Sequence, residues 1–271
     1  MDITDILPKD RLELLYLKEK LTDQQIADRF HLSLGQVHRL RRKFQIRTLE
    51  QFERHHKNKL AAEEKSLILG LCLGDGHIRK RKGKDTYPQL MIEQSVKHKE
   101  YIYWLKTKLN NWIYDQDKPI TAIRKFSKVA NKHYHSLSFQ TICHPALEEF
   151  YKSFYKSGKK VLAKELIVKY FDKTSLAVWM MDDGTLSGNC KRNSIATNNF
   201  TFEEVNFLRD VLRDKFDLKT WICKRTGKYT ISYEIAFDKK SSLKITEIIG
   251  DIVIDSMKYK LLHSETAKGT A

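Results

Sequence analysis

Two short segments decide what this chain can fold into. Ile68–Gly76 reads ILGLCLGDG, and Leu176–Gly184 reads LAVWMMDDG. Each is apolar on every side, which suits a buried helix and not a surface one. Each ends on an acidic residue and a glycine. The carboxylates in question, Asp75 and Asp183, are therefore carried to the edge of a core, where a carboxylate needs a cation or a specific partner. The glycine that follows lets the chain turn sharply into a strand.

The surroundings of the two segments repeat as well. The pattern predicts a helix over 63–73, strands over 77–82 and 87–94 joined by a turn containing Gly83, and an amphipathic helix over 97–112 with Tyr101, Leu105, Leu109 and Trp112 inward. Strands over 120–126 and 134–141 and a proline-opened helix over 145–155 complete the first set. The second set runs helix 175–181, a strand near 194–198, helix 201–216, strands 220–224 and 229–237, and helix 241–249. The order α-β-β-α-β-β-α is thus read twice, an internal repeat of a hundred-odd residues. This is an α+β chain with two pseudo-symmetric halves, expected over 63–165 and 166–271.

A different pattern precedes the repeat. Leu12, Leu15 and Leu17 mark one short helix. Thr22 can cap a second, with Ile26, Ala27 and Phe30 inward, and Ser33 a third, with Leu34, Val37, Leu40 and Phe44 inward. Residues 1–47 resemble a small all-α helix-turn-helix module. His31 stands where such turns often have glycine, and histidine tolerates positive φ better than most residues. The last helix would offer Gln36, His38, Arg39 and Arg42 to a DNA groove. The competing reading is a helical packing module with a solvated basic face. Residues 48–62 form a basic joint, either along phosphates or a plain tether.

Charge agrees with a nucleic-acid partner. There are 50 Lys+Arg against 34 Asp+Glu, a net +16. No apolar run reaches the ~18 residues of a membrane helix. The acidic, polar start is unlike a signal peptide. The four cysteines form no CxxC pair. An intracellular, non-secreted protein without a membrane segment is expected.

At this point the two motifs resemble those of the LAGLIDADG homing endonucleases, in the single-chain two-motif form, and are similar to the yeast mitochondrial intron-encoded member of that group. The resemblance spans about 62–262. It includes GKKVLAKEL (158–166), FTFEEVNFLRDVLRDKF (200–216) and SMKYKLL (256–262). It implies two motif helices packed across a pseudo-twofold axis, two antiparallel sheets forming a DNA saddle, and a chain that works as a monomer. It also implies a shared divalent metal, Mg²⁺ or Mn²⁺, at Asp75 and Asp183, with the backbone carbonyls of Gly74 and Asp182 as further oxygen ligands. Lys160 and Lys260 match the family's lysine near each cleaved phosphate. Ala163 replaces a proline of the matching block, which is expected to loosen the loop after Lys160. Gly70 and Gly74 face Val178 and Asp182 at the matching places, so an asymmetric helix crossing is expected.

Strand alternation nominates the DNA-facing side chains. They are Arg79 and Arg81 on the first strand; Gln89, Met91 and Glu93; Ser136, Ser138 and Gln140; and Thr230, Ser232 and Glu234. Leu90, Ile92, Leu137, Phe139, Ile231, Tyr233 and Ile235 should point to the core. The four tryptophans read as packing, and His98, His144 and His263 as surface or loop residues. Taken singly, Asp75 or Asp183 reads as an ordinary helix-end acid beside a turn glycine. Occurring twice in matching surroundings, they point to hydrolysis of a double-stranded DNA site. An RNA maturase acting on a host intron, or a non-cleaving DNA-binding regulator on the same fold, is the alternative.

Overall fold

The computed structural model describes residues 3–44, 46, 58–80, 87–113, 119–127, 131–188, 191–227 and 231–263. These fall into two compact units, one ending at Lys59 and one starting at Leu60.

The first unit holds four helices among its described residues: α1 (Ile3–Ile6), α2 (Lys9–Leu17), α3 (Asp23–Arg29) and α4 (Leu34–Lys43). Thr22 and Ser33 each accept a backbone N–H at the start of α3 and α4. In return the Gln25 and Gln36 side chains accept the cap N–H, so both helices open with a complete capping box. His31 takes φ 52° in the connecting turn. Leu7, Leu12, Leu15, Tyr16, Ile26, Ala27, Val37 and Leu40 form the core. The apolar Leu17 is 42% exposed, and Leu34, expected inward, is 39% exposed. They sit at the last turn of α2 and the first of α4, beyond the reach of so small a core, and Tyr16 fills the interior instead.

In the second unit the αββαββα order occurs twice. The first pass is α5 (Ala62–Leu73), β1 (His77–Arg79), β2 (Gln89–Ser95), α6 (Lys99–Lys108), β3 (Thr121–Ser127), β4 (Lys132–Gln140) and α7 (Glu148–Phe154). A small hairpin of β5 (Tyr155–Lys156) and β6 (Lys159–Lys160) and a helix α8 (Lys164–Tyr170) follow. The second pass is α9 (Lys173–Asp183), β7 (Gly184–Ser187), β8 (Arg192–Ala196), α10 (Phe202–Phe216), β9 (Thr220–Thr226), β10 (Ile231–Phe237) and α11 (Lys239–Ile249). A 3₁₀ helix over Asp255–Lys260 closes it. The two antiparallel sheets have the same order, β1-β2-β4-β3 and β7-β8-β10-β9. The expected boundary at 165/166 falls inside α8, and both halves share one hydrophobic core.

That core lies under the middle of each sheet. Leu90, Ile92, Phe139 and Ile235 are buried as their alternation requires. Ile231 is 55% exposed instead of inward, because it sits at the hairpin end of β10, opposite Thr226, beyond the helices. Two further expectations change. His144 is buried, its ring edge-on to Trp112 and its Nδ1 accepting the Ala146 N–H. Trp221 is only partly covered, with the Arg192 guanidinium over its ring.

Candidate catalytic centre

The centre is built where α5 and α9 cross. A Cβ on Gly70 would lie 2.7 Å from the Ser175 carbonyl oxygen and 2.8 Å from the Val178 Cβ. A Cβ on Gly74 would lie 2.5 Å from Asp182 Oδ2. The glycines of α5 thus let two bulkier positions of α9 press against helix backbone, and the crossing is asymmetric.

Asp75 emerges at the end of α5, exposed, with Gly76 buried behind it. Its backbone N–H donates to Asp182 Oδ2 at 3.1 Å. The Gln94 amide nitrogen donates to Asp75 Oδ2 at 3.0 Å and to Asp182 Oδ1 at 3.1 Å. Asp182 therefore contributes its side chain, beyond the carbonyl expected of it. Gln94 was not among the residues nominated from sequence. Its signal was legible: after Leu90 and Ile92 it is the next inward position of β2, so it is a buried glutamine that has to find polar partners.

The two lysines arrive from opposite sides. Lys160 sits on β6, paired with Tyr155 across a tight turn whose Ser157 and Gly158 both have positive φ, 50° and 77°. Its ammonium donates to the Gly74 carbonyl at 3.3 Å. Lys260, at the end of the closing 3₁₀ helix, donates to the Met181 and Asp182 carbonyls at 2.5 and 3.0 Å. Each lysine thus touches the carbonyl just before its half's Asp. The loop after Lys160 is not loosened by Ala163. The Val161 N–H is held by the Phe154 carbonyl and the Leu162 N–H by the Glu204 carboxylate.

Electrostatics at the crossing are strained by unneutralised anions. Burial, then the charge of Asp75, pushes the Asp183 carboxyl up to about 7, against the opposing pull of Lys160 and Lys260. The same two causes push Asp182 well above the carboxylate range. Burial lowers the Lys260 ammonium despite the three aspartates around it. A cavity of about 440 Å³ opens beside the centre. Asp75, His98 and Asp182 line it on one side, and Glu93, Gln94, Lys125, His135 and Ser136 from the sheet. His98, expected as a plain surface residue, belongs to this wall.

Comparison with known proteins decides the family. The profile of the LAGLIDADG DNA endonuclease family matches residues 65–245. The chain belongs to that family. It is 34% identical over 204 residues to the cytochrome b mRNA maturase bI2 of Saccharomyces cerevisiae, covering 72% of this chain and 46% of that protein. The chain thus spans about half the length of that relative. It is 40% identical to the intron-encoded endonuclease ai4 of Dictyostelium discoideum, over 48% of this chain and 79% of the other. Among solved structures it is similar to the homing endonuclease I-WcaI bound to its DNA recognition sequence. That match has a TM-score of 0.70 at 25% identity, over 81% of this chain and 94% of the other. The paired sheets are the two flanks of the LAGLIDADG saddle.

The nominated reading residues fare unevenly on these LAGLIDADG sheets. Arg79 and Gln140 are exposed, and Met91, Ser136, Ser138, Ser232 and Glu234 partly so. Gln89 is 4% exposed, because its amide donates to Gln140 and its carbonyl accepts the Cys143 thiol. Glu93 is held by Lys125 and Ser136, which pull its carboxyl below its ordinary range. Glu234 is paired with Arg225. Arg81 and Thr230 lie outside the described residues. In the first unit Arg39 and Arg42 are exposed, while the Gln36 carbonyl is spent on the capping box and His38 joins Arg41 on Asp23. No helix among the described residues is long and apolar enough to cross a membrane.

Proposed function

We propose that the protein is a site-specific homing endonuclease that hydrolyses both strands of a double-stranded DNA target with a divalent metal. The observation that carries this reading is the convergence of Asp75, Asp182, Gln94, Lys160 and Lys260 at the crossing of two buried helices beneath paired sheets.

The donor set fits a hard cation. Two aspartates are driven toward protonation by burial and by Asp75, and a divalent ion would neutralise them. Every candidate ligand is an oxygen, which suits Mg²⁺ or Mn²⁺. Asp75 and Asp183 would hold the ion; the Gly74 and Asp182 carbonyls, which accept the Lys160 and Lys260 ammoniums, would add to it only through their second lone pairs. Among the described residues no three His, Cys, Asp or Glu side chains form a metal-holding group, so a bound ion would leave positions open to water and to phosphate oxygens of the DNA. The bound ion supplies Lewis-acid polarisation and a more acidic water. Lys160 and Lys260 place one ammonium on each side, where it orients water or offsets charge on the phosphorane oxygens. Arg79 and the exposed strand faces read the major groove, and Arg39 and Arg42 of the first unit add contacts that lengthen the footprint. The protein works as an intracellular monomer, since one chain carries both motifs.

Asp75→Asn and Asp183→Asn, tested on a plasmid bearing the insertion site with Mg²⁺, are each expected to abolish linearisation. Full cleavage by either variant would overturn the metal-site assignment. A second reading is favoured by the likeness to the yeast cytochrome b mRNA maturase: the chain assists splicing of its host intron RNA. Rescue of splicing by the Asp75→Asn/Asp183→Asn double variant would support it.

A further inference from the structure

The two motifs are equivalent in backbone but not in what crosses between them. Aligning Asp75 with Asp183 sets Gly74 opposite Asp182, and the strand registers then set Gln94 opposite Thr197. From the second motif, Asp182 reaches across the crossing. Its Oδ2 accepts the Asp75 N–H and its Oδ1 accepts Gln94, whose other amide hydrogen goes to Asp75 Oδ2. Nothing can reach back. Gly74 has no side chain, and its lack of a Cβ is what makes room for the Asp182 carboxyl. Thr197 turns its hydroxyl to the Tyr233 carbonyl at 2.7 Å, within its own sheet. Asp183 therefore has neither the cross-helix acceptor nor the amide donor that fix Asp75.

We propose that Asp182 is a positioning residue: its carboxyl group is a one-way clamp that presets Asp75 through both its backbone and Gln94, leaving the Asp183 centre without a counterpart. The clamp makes the two strand-cutting centres unequal, and it rests on the nuclease reading given above only for its kinetic consequence. The Asp182 carboxyl touches neither substrate nor reacting atoms by this account. It acts by fixing where the Asp75 carboxylate stands. Displacement of a reacting group by about 1 Å can cost about a hundredfold in rate.

The experiment uses the full chain and a duplex labelled differently on each strand. In Asp182→Ala, cleavage of one strand is expected to slow about 30- to 100-fold and the other to stay within about threefold, so nicked product accumulates. DNA affinity, measured in Ca²⁺, is expected to stay within about twofold. Asp182→Asn is nearly isosteric and keeps one acceptor oxygen, so it is expected to recover part of the lost strand rate. An equal loss on both strands, or no loss, overturns the clamp. A second readout does not depend on cleavage. Hydrogen exchange at the Asp75 amide is expected to speed up at least about tenfold in Asp182→Ala while the Asp183 amide is unchanged. An unchanged Asp75 amide also overturns the clamp. If the wild-type chain cuts no duplex in Mg²⁺, the nuclease reading fails, and amide exchange still decides the clamp.

Discussion

The first and second halves share a strand order yet treat their acids differently. At the first motif Asp75 is exposed and held by a neighbouring carboxylate and an amide. At the second, Asp183 is partly buried, pushed up to about 7, and has Thr197 where the first half has Gln94. On the first strand of each sheet His77 stands where the second half has Thr185. His77 Nδ1 lies 3.0 Å from the Tyr155 hydroxyl, whose oxygen also accepts the Ile78 N–H. Duplication preserves the frame because strand pairing and a shared core are demanding of the backbone. The side chains at the crossing are free to diverge, since one small residue facing one large one fills the same space.

The strongest way to break this comparison is to remove the acids. Asp75→Asn and Asp183→Asn are each expected to lower cleavage by about 10³-fold or more, a loss typical of removing a charge that stabilises a transition state. A large difference between the two would mean that the halves do not share an ion. Lys160→Met and Lys260→Met are expected to cost about 10²-fold each, on opposite strands, as read on the doubly labelled duplex. If both lysines slow the same strand, the assignment of one lysine per half fails.

Acid titration separates the halves without any substrate. The Asp183 pKa rises from 3.8 to about 7 on folding, so the native state binds the proton more tightly than the unfolded chain. The contribution of Asp183 to the stability of the metal-free protein therefore falls as pH rises from about 4 to about 7. Asp183→Asn should flatten that slope in denaturant titrations, and added Mg²⁺ should flatten it for the wild type.

Packing gives a smaller effect. Gly74→Ala drives a methyl into the Asp182 carboxyl and is expected to cost about 1–3 kcal/mol in thermal unfolding. It should also reproduce the strand bias of Asp182→Ala, because the clamp is displaced rather than deleted. The smallest effect lies outside both halves. Arg39→Ala/Arg42→Ala should reduce the slope of log affinity against log salt by about 2 and slow both strands alike. An unchanged slope would make the first unit a structural appendage.

Much of the fold was legible. Apolar runs ending in Asp-Gly located α5 and α9, the strand pattern located the sheets except for β7, and Thr22 and Ser33 fixed helix starts through capping. Alternation failed where burial came from something other than the sheet face. Gln89 points outward by parity and is covered by Gln140 and Cys143. Ile231 points inward by parity and has no core beneath it. In the first unit, the Gln36 side chain is used by its own helix N-terminus, a local competition that a list of polar exposed positions does not show.

The sequence by itself determined the repeat and the two buried helices, because periodicity and composition act along the chain, and its motifs pointed to the family and nominated the pair Asp75 and Asp183. Only the tertiary structure decided that Asp182 and Gln94 join Asp75, that each lysine meets the carbonyl before its half's acid, and that the two centres differ. Those facts depend on how closely α5 and α9 approach. That distance is set by Gly70 and Gly74 against Val178 and Asp182, residues a hundred positions apart whose contact no local pattern encodes.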